Sequence, residues 1–193
     1  MSKEKRLVPE LRFPEFDGEW RILKLKDVLK VKHGRSQHNV EVEDGAYPIL
    51  GTGGEIGRTN THLYDKESVL IGRKGTINKP RFMDTPFWTV DTLFYSEIKS
   101  NSFPKFIFYY FNTVNWLRYN EASGVPSLSA STIESIEIEI PDLNEQQKIA
   151  TFLSLIDKKI ELLEKKVELL EEQKRGLLQK IFSQEIRFKK DDG

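Results

Sequence analysis

Arg35, Gln37, His38 and Asn39 stand close together in one polar segment, and each can hydrogen-bond a base edge. They close a basic run. Residues 21–40 carry Arg21, Lys24, Lys26, Lys30, Lys32 and Arg35 against one acid, Asp27. Residues 68–83 hold Arg73, Lys74, Lys79 and Arg81 with no acid. Between them residues 41–67 are acidic, with Glu41, Glu43, Asp44, Glu55, Asp65 and Glu67 against Arg58 and Lys66. Confined positive patches are what a phosphate-contacting surface requires. Taken alone, either patch reads more simply as a solvated strand face.

Other chemistries find no constellation. The run Gly51-Thr52-Gly53-Gly54-Glu55-Ile56-Gly57 departs from a dinucleotide fingerprint, because Ile56 stands where the third glycine belongs. His33, His38 and His62 lack the spacing of a metal-binding helix pair. Asp142 with Asp157-Lys158-Lys159 imitates a nuclease pattern, but helical rise separates the two acids by more than about 20 Å. No Asn-Pro-Pro-aromatic methyltransferase motif occurs. The chain therefore reads as non-catalytic, with no metal and no cofactor of its own. Thirty basic and thirty acidic residues cancel, which argues against nonspecific coating of nucleic acid. With no cysteine, a charged N-terminus and no apolar run of membrane-spanning length, a cytoplasmic protein without membrane contact is expected.

These side chains must be held by a strand-rich domain. Residues 1–20 form a leader pinned by Phe13, Phe16 and Trp20. Segment 23–34 reads as a helical turn or strand entering a strand, and 35–45 as a loop. Segment 47–60 is a strand followed by glycines, 68–82 a strand with a tight turn and basic extension, and 87–98 one or two strands. Residues 103–120 read as one buried aromatic helix starting at Pro104, and 136–140 as a half-exposed strand. The expected class is α+β: a globular domain over 1–142, one long helix over 143–182, and a tail or second repeat over 183–193.

The helix is the clearest element. Written as a heptad, a holds Leu153, Ile160, Val167, Lys174 and Ile181, and d holds Ile149, Ile156, Leu163, Leu170 and Leu177. All but Lys174 are apolar, a coiled-coil seam. Asn144 is the expected N-cap, with Gln147 three residues on. About 38 residues give a rod of roughly 57 Å, which needs another long helix to bury its seam. Leu155, Leu162 and Leu169 add a second stripe at c, read equally as packing on the chain's own domain or as a further contact face.

The segments YPILGTGGEIGRTN, VLIGRKGTINKPRF, PFWTVDTLFY and SGVPSLSASTIESIEIEIPDLNEQQKIATFLSLID, with the rod, resemble the specificity subunit of type I restriction–modification systems. PSLSASTI running into IPDLNEQQKIA is the most specific part of the match. The resemblance implies a target-recognition domain followed by a conserved helix, two such units per full subunit, and antiparallel pairing of their helices. Each domain would then read half of a bipartite site on double-stranded DNA. Modification (methyltransferase) subunits that bind S-adenosylmethionine, and a motor-nuclease restriction subunit, are the implied partners. The rod is about one and a half turns of B-DNA, at 34–36 Å per turn.

On that resemblance the residues expected near DNA are Arg73, Lys74, Asn78, Lys79 and Arg81, with Arg35, Gln37, His38 and Asn39 on the neighbouring loop and Thr52, Arg58 and Asn60 within reach. Arg73 has a competing role, binding a carboxylate such as Asp91 to fix its turn. Competing functions are a coiled-coil scaffold whose head binds protein, a half-length subunit acting as a homodimer, and an enzyme with an unrecognised site. Finally, Leu11-Arg12-Phe13 with Asp17-Gly18 is echoed by Ile186-Arg187-Phe188 with Asp192-Gly193, as though a second unit were starting. From this an antiparallel two-fold dimer and a palindromic bipartite site are expected.

Overall fold

The computed structural model describes residues 7–187, so Phe188–Gly193 of the echo lie outside the described residues. Strand β6 (Ser68–Gly72) organises the domain. Its sequence SVLIG is continuously apolar after Ser68, and every residue is buried. Alternation sends Val69 and Ile71 into one core and Leu70 into another. That is the signature of a strand covered on both faces. Ser68 is satisfied inside: its Oγ donates to the Ser96 carbonyl at 2.8 Å and accepts from Ser96 N at 3.0 Å.

Around β6 lies a four-stranded sheet in the order β2 (Leu29–His33), β9 (Leu93–Ile98), β6, β7 (Arg81–Met83). A second sheet orders β3 (Glu41–Val42), β5 (Gly54–Thr59), β4 (Tyr47–Gly51), β8 (Trp88–Thr89). A two-stranded sheet pairs β1 (Arg21–Lys24) with β10 (Glu137–Ile140). The glycines after β4 do more than form a loop: Gly54–Thr59 returns as β5, making a hairpin about Thr52-Gly53.

Helix α1 (Leu25–Val28) is a single turn, and α3 (Ala130–Ser135) is capped by Ser129, whose Oγ accepts from Thr132 N at 3.1 Å. Helix α2 (Pro104–Thr113) packs Phe106, Ile107 and Phe111 into the main core with Val31, Val69 and Phe94. It stops well short of residue 120. Thr113 and Val114 are β-branched and Val114 already has extended geometry, so the helix ends there and a 3-10 segment follows over Trp116–Tyr119. The Trp116 indole folds back, donating to the Phe111 carbonyl at 2.8 Å.

Helix α4 (Leu143–Phe182) has the expected span, but Asp142 rather than Asn144 caps it. Asp142 Oδ1 accepts from Glu145 N at 2.9 Å. The first turns are fastened to the domain. Gln146, 1 % exposed, accepts from Phe103 N at 2.9 Å and donates to the carbonyls of Pro141 at 3.0 Å and Asn101 at 3.3 Å. Glu145 takes a two-pronged ion pair from Arg12 at 2.8 and 2.6 Å, which holds that guanidinium's pKa above its usual value. Lys148 pairs with Glu15 at 2.9 Å and lies over the Phe13 ring. The compact unit therefore runs to Ala150 rather than 142, and residues from Thr151 on form a second unit.

Candidate nucleic-acid interface

Strand register brings several loops to one end of the two larger sheets. His33 lies opposite Phe94 and Gly72 opposite Leu93, so β2 and β6 end where β9 begins. Strand β4 runs parallel to β8, and Val90 N donates to the Leu50 carbonyl at 3.0 Å. This brings the Thr52-Gly53 turn to the same end. Backbone bonds lock the cluster: Arg35 N donates to the Thr89 carbonyl at 2.8 Å, and Arg73 N and Lys74 N to the Thr92 carbonyl at 2.8 and 3.2 Å. The Trp88 indole donates to the Arg35 carbonyl at 2.9 Å. Such closeness demands glycine at position 34, where a Cβ would sit 2.0 Å from the Val90 oxygen. Gly75, at φ +95°, supplies the left-handed turn of the basic loop.

The side chains there divide into two kinds. Lys74, Asn78 and Lys79 on the β6–β7 loop and Arg35 on the β2–β3 loop are exposed, and no described ion pair engages them. His38 and Asn39 are exposed on a turn closed by Val40 N and Glu41 N, each donating to the Gln37 carbonyl at 2.9 Å, while Gln37 is half-buried. Arg73 takes the structural role open to it. Its guanidinium donates to the Asp91 carbonyl at 3.2 Å and stands 3.9 Å from the Asp91 carboxylate.

Three candidates are committed to the fold. Arg81 donates to the carbonyls of Thr52, at 2.9 Å, and Gly51, and desolvation lowers its pKa. It braces the β4–β5 turn instead of facing outward. Arg58 spends its nitrogens on Gly45 O at 2.7 Å, Glu55 at 2.9 Å and Ala46 O at 3.3 Å. Asn60 accepts from Ala46 N at 3.1 Å. Arg58 and Asn60 also belong to the opposite end of the hairpin, where Thr59 pairs with Tyr47, roughly 13 Å along the strands from the turn. The first basic run is largely a strand face, as its charge pattern alone suggests. Lys30 pairs with Glu134 at 3.3 Å and Lys32 with Glu97 at 3.3 Å.

Charge alone gave no role to Glu121–Ser129. Gly75 N donates to the Pro126 carbonyl at 2.8 Å and Leu128 N to the Arg73 carbonyl at 2.9 Å, with a Lys74–Ser127 bridge between them. This segment fixes the path of the basic loop. Hydroxyls of Thr132 and Ser129 donate to the Glu121 carboxylate and hold its pKa below the usual range.

In the second unit the heptad residues Ile156, Ile160, Leu163, Val167, Leu170 and Leu177 are all at least 41 % exposed, whereas Leu153 and Ile181 are half-buried. Ile149 differs: it packs on the domain core beside buried Ala150, so it is occupied within its own domain. A shallow apolar furrow follows Ile160, Leu163 and Val167, edged by Glu164, Glu168 and Glu171. No helix among the described residues is long and apolar enough to cross a membrane.

A family model for the type I restriction modification DNA specificity domain matches residues 17–172. The type I restriction enzyme MjaVIII specificity subunit of Methanocaldococcus jannaschii is 25 % identical over 207 residues, covering 91 % of this chain and 44 % of that protein. The EcoprrI specificity subunit of Escherichia coli is 24 % identical over 153 residues, covering 76 % and 38 %. Among solved structures, the type I restriction–modification S subunit from M. genitalium superposes with a TM-score of 0.69 at 19 % identity, over 92 % of this chain and 48 % of that one. This chain thus spans less than half the length of these relatives. With the family model reaching from the leader through both basic loops into α4, the chain belongs to the type I restriction modification DNA specificity domain family.

Proposed function

We propose that this chain reads one half of a bipartite site on duplex DNA through the loop end of its sheets. Its exposed Arg35, Lys74, Asn78 and Lys79 are the contacts. The single observation behind this is their convergence, on braced backbone, at an end where no described ion pair holds them. Lysines suit phosphates, while Asn78, Arg35 and the Gln37–Asn39 turn suit base edges. The long helix is the spacer: its apolar face pairs antiparallel with a like helix, of a second copy when the chain is alone. Modification subunits carrying S-adenosylmethionine, and a restriction subunit where one exists, supply the chemistry. This chain supplies the address.

Two measurements test the reading. Duplex affinity should fall steeply and linearly with salt on logarithmic axes. Mapping methylated bases genome-wide in cells expressing this chain with a modification subunit should return one bipartite motif. A flat salt response would point instead to a head that binds protein.

A further inference from the structure

The loop that clamps the basic turn also presents a tip of its own. Asn120 Oδ1 accepts from Ala122 N at 3.1 Å and Ser127 N at 2.9 Å, and Glu121 N donates to the Ser127 carbonyl at 3.0 Å. These bonds close residues 120–127 into a small braced loop, anchored below by buried Leu128. The tip runs Ala122-Ser123-Gly124-Val125-Pro126; Val125 is 55 % exposed, whereas its apolar neighbours Ala122 and Pro126 are half-buried. Arg73, Lys74 and Val125 line the same groove. A lone exposed valine is ordinary on a protein surface. This one differs in that the backbone Lys74–Ser127 bridge fixes its loop to the basic loop, and it shares a groove with Lys74, which no described ion pair engages.

We propose that the Ala122–Pro126 tip is a second reading element and that Val125 recognises thymine through its 5-methyl group. The proposal rests on the DNA-reading function above. The thymine methyl is the apolar feature among the base edges of the major groove, and a branched side chain without polar atoms is suited to it. Polar side chains beside it do the complementary work. Lys74 holds a phosphate and so sets the distance of the tip from the bases. The braced backbone means that little ordering entropy is lost on contact.

The test uses the full chain with its modification subunit and duplexes of the mapped site. Each thymidine in turn is replaced by deoxyuridine, which removes only the methyl. At one or two positions wild type should bind about fourfold more weakly, the effect of one buried methyl. Val125→Ala should bind the thymine and uracil duplexes equally there while melting at the wild-type temperature. Wild type indifferent to every replacement, or Val125→Ala with undiminished sensitivity, overturns the proposal even if salt-dependent duplex binding persists. Loss of duplex binding by wild type would instead sink the broader reading, and this one with it.

Discussion

The domain and the helix beyond Ala150 use the same apolar residue types in opposite ways. In the domain Leu70, Ile71 and Phe94 are at most 1 % exposed, closed over by their own chain. In the helix Ile160, Leu163, Val167 and Leu170 remain 48–55 % exposed, although their spacing is more regular than any pattern in the domain. Regular spacing specifies a face; only a second surface buries it. The domain is thus specified by long-range packing and α4 by local periodicity, with a partner helix proposed for its open face, and the two should fail in different assays.

The largest effect expected is on that partner contact. Leu163→Glu with Leu170→Glu places charges where a partner helix excludes water, at several kcal/mol per unpaired ion. Self-association should weaken by more than a factor of about a hundred, while the domain melts as before. Light scattering at micromolar concentration should fall from twice the 22.5 kDa chain mass to that mass. An unchanged mass would remove the heptad face from any interface. Phe94→Ala should do the reverse: about 3–5 kcal/mol off domain stability in urea, with self-association retained below the new midpoint. Where domain and helix join, Gln146→Leu strands the Phe103 N–H and should cost about 1–3 kcal/mol. A neutral Gln146→Leu variant would show that the first turns of α4 are not fastened by this side chain.

Much of this was legible in the sequence, for physical reasons that differ by region. Helix α4 could be read over its whole length because periodicity is local, although its cap was misplaced from Asp142 to Asn144. Strand β6 was legible because a fully buried strand leaves a continuous apolar run. Strand β5 was not, since Gly54 and Gly57 signal turns and its partner β4 had to be known first. Helix α2 was overextended because Trp116 is as apolar as a helical residue, and β-branched Thr113 and Val114 are only a weak local stop signal. In the interface, charge and residue type flagged Arg58 and Arg81 as strongly as Lys79. Nothing local says that an arginine will be consumed by carbonyls of Gly45, Ala46 or Thr52. The clamp over Arg73–Gly75 was invisible for the opposite reason: Pro126, Ser127 and Leu128 carry no charge, and backbone atoms form its bonds.

That division between free and committed side chains predicts a graded response. Lys79→Ala should weaken binding to all duplexes about equally and make the salt slope shallower by roughly one unit. Asn78→Ala should instead change preference among sequences, by about 1–3 kcal/mol at one base pair. Arg58→Ala should leave the salt slope at its wild-type value and show its cost in stability alone. A slope change for Arg58→Ala equal to that of Lys79→Ala would put the far end of the β4–β5 hairpin on DNA.

The smallest effect expected concerns the orientation of paired helices. Asp157, Glu164 and Glu171 follow position e of the heptad, and Lys159, Lys166 and Lys180 follow position g. Residues at e and g flank the seam and meet their counterparts across it. In a parallel pair e faces g, so acids would meet lysines. In an antiparallel pair of identical helices e faces e and g faces g, so like charge meets like, a repulsion the apolar seam must overcome. Salt screens exposed charges of either sign. With a few tenths of a kcal/mol per exposed pair, raising ionic strength should tighten an antiparallel homodimer by about two- to fivefold. The same change should loosen a parallel one. Sedimentation equilibrium across a salt series reads the sign directly. A dimer that weakens as salt rises has its helices parallel, with both domains at one end, and cannot set two recognition units apart along a duplex.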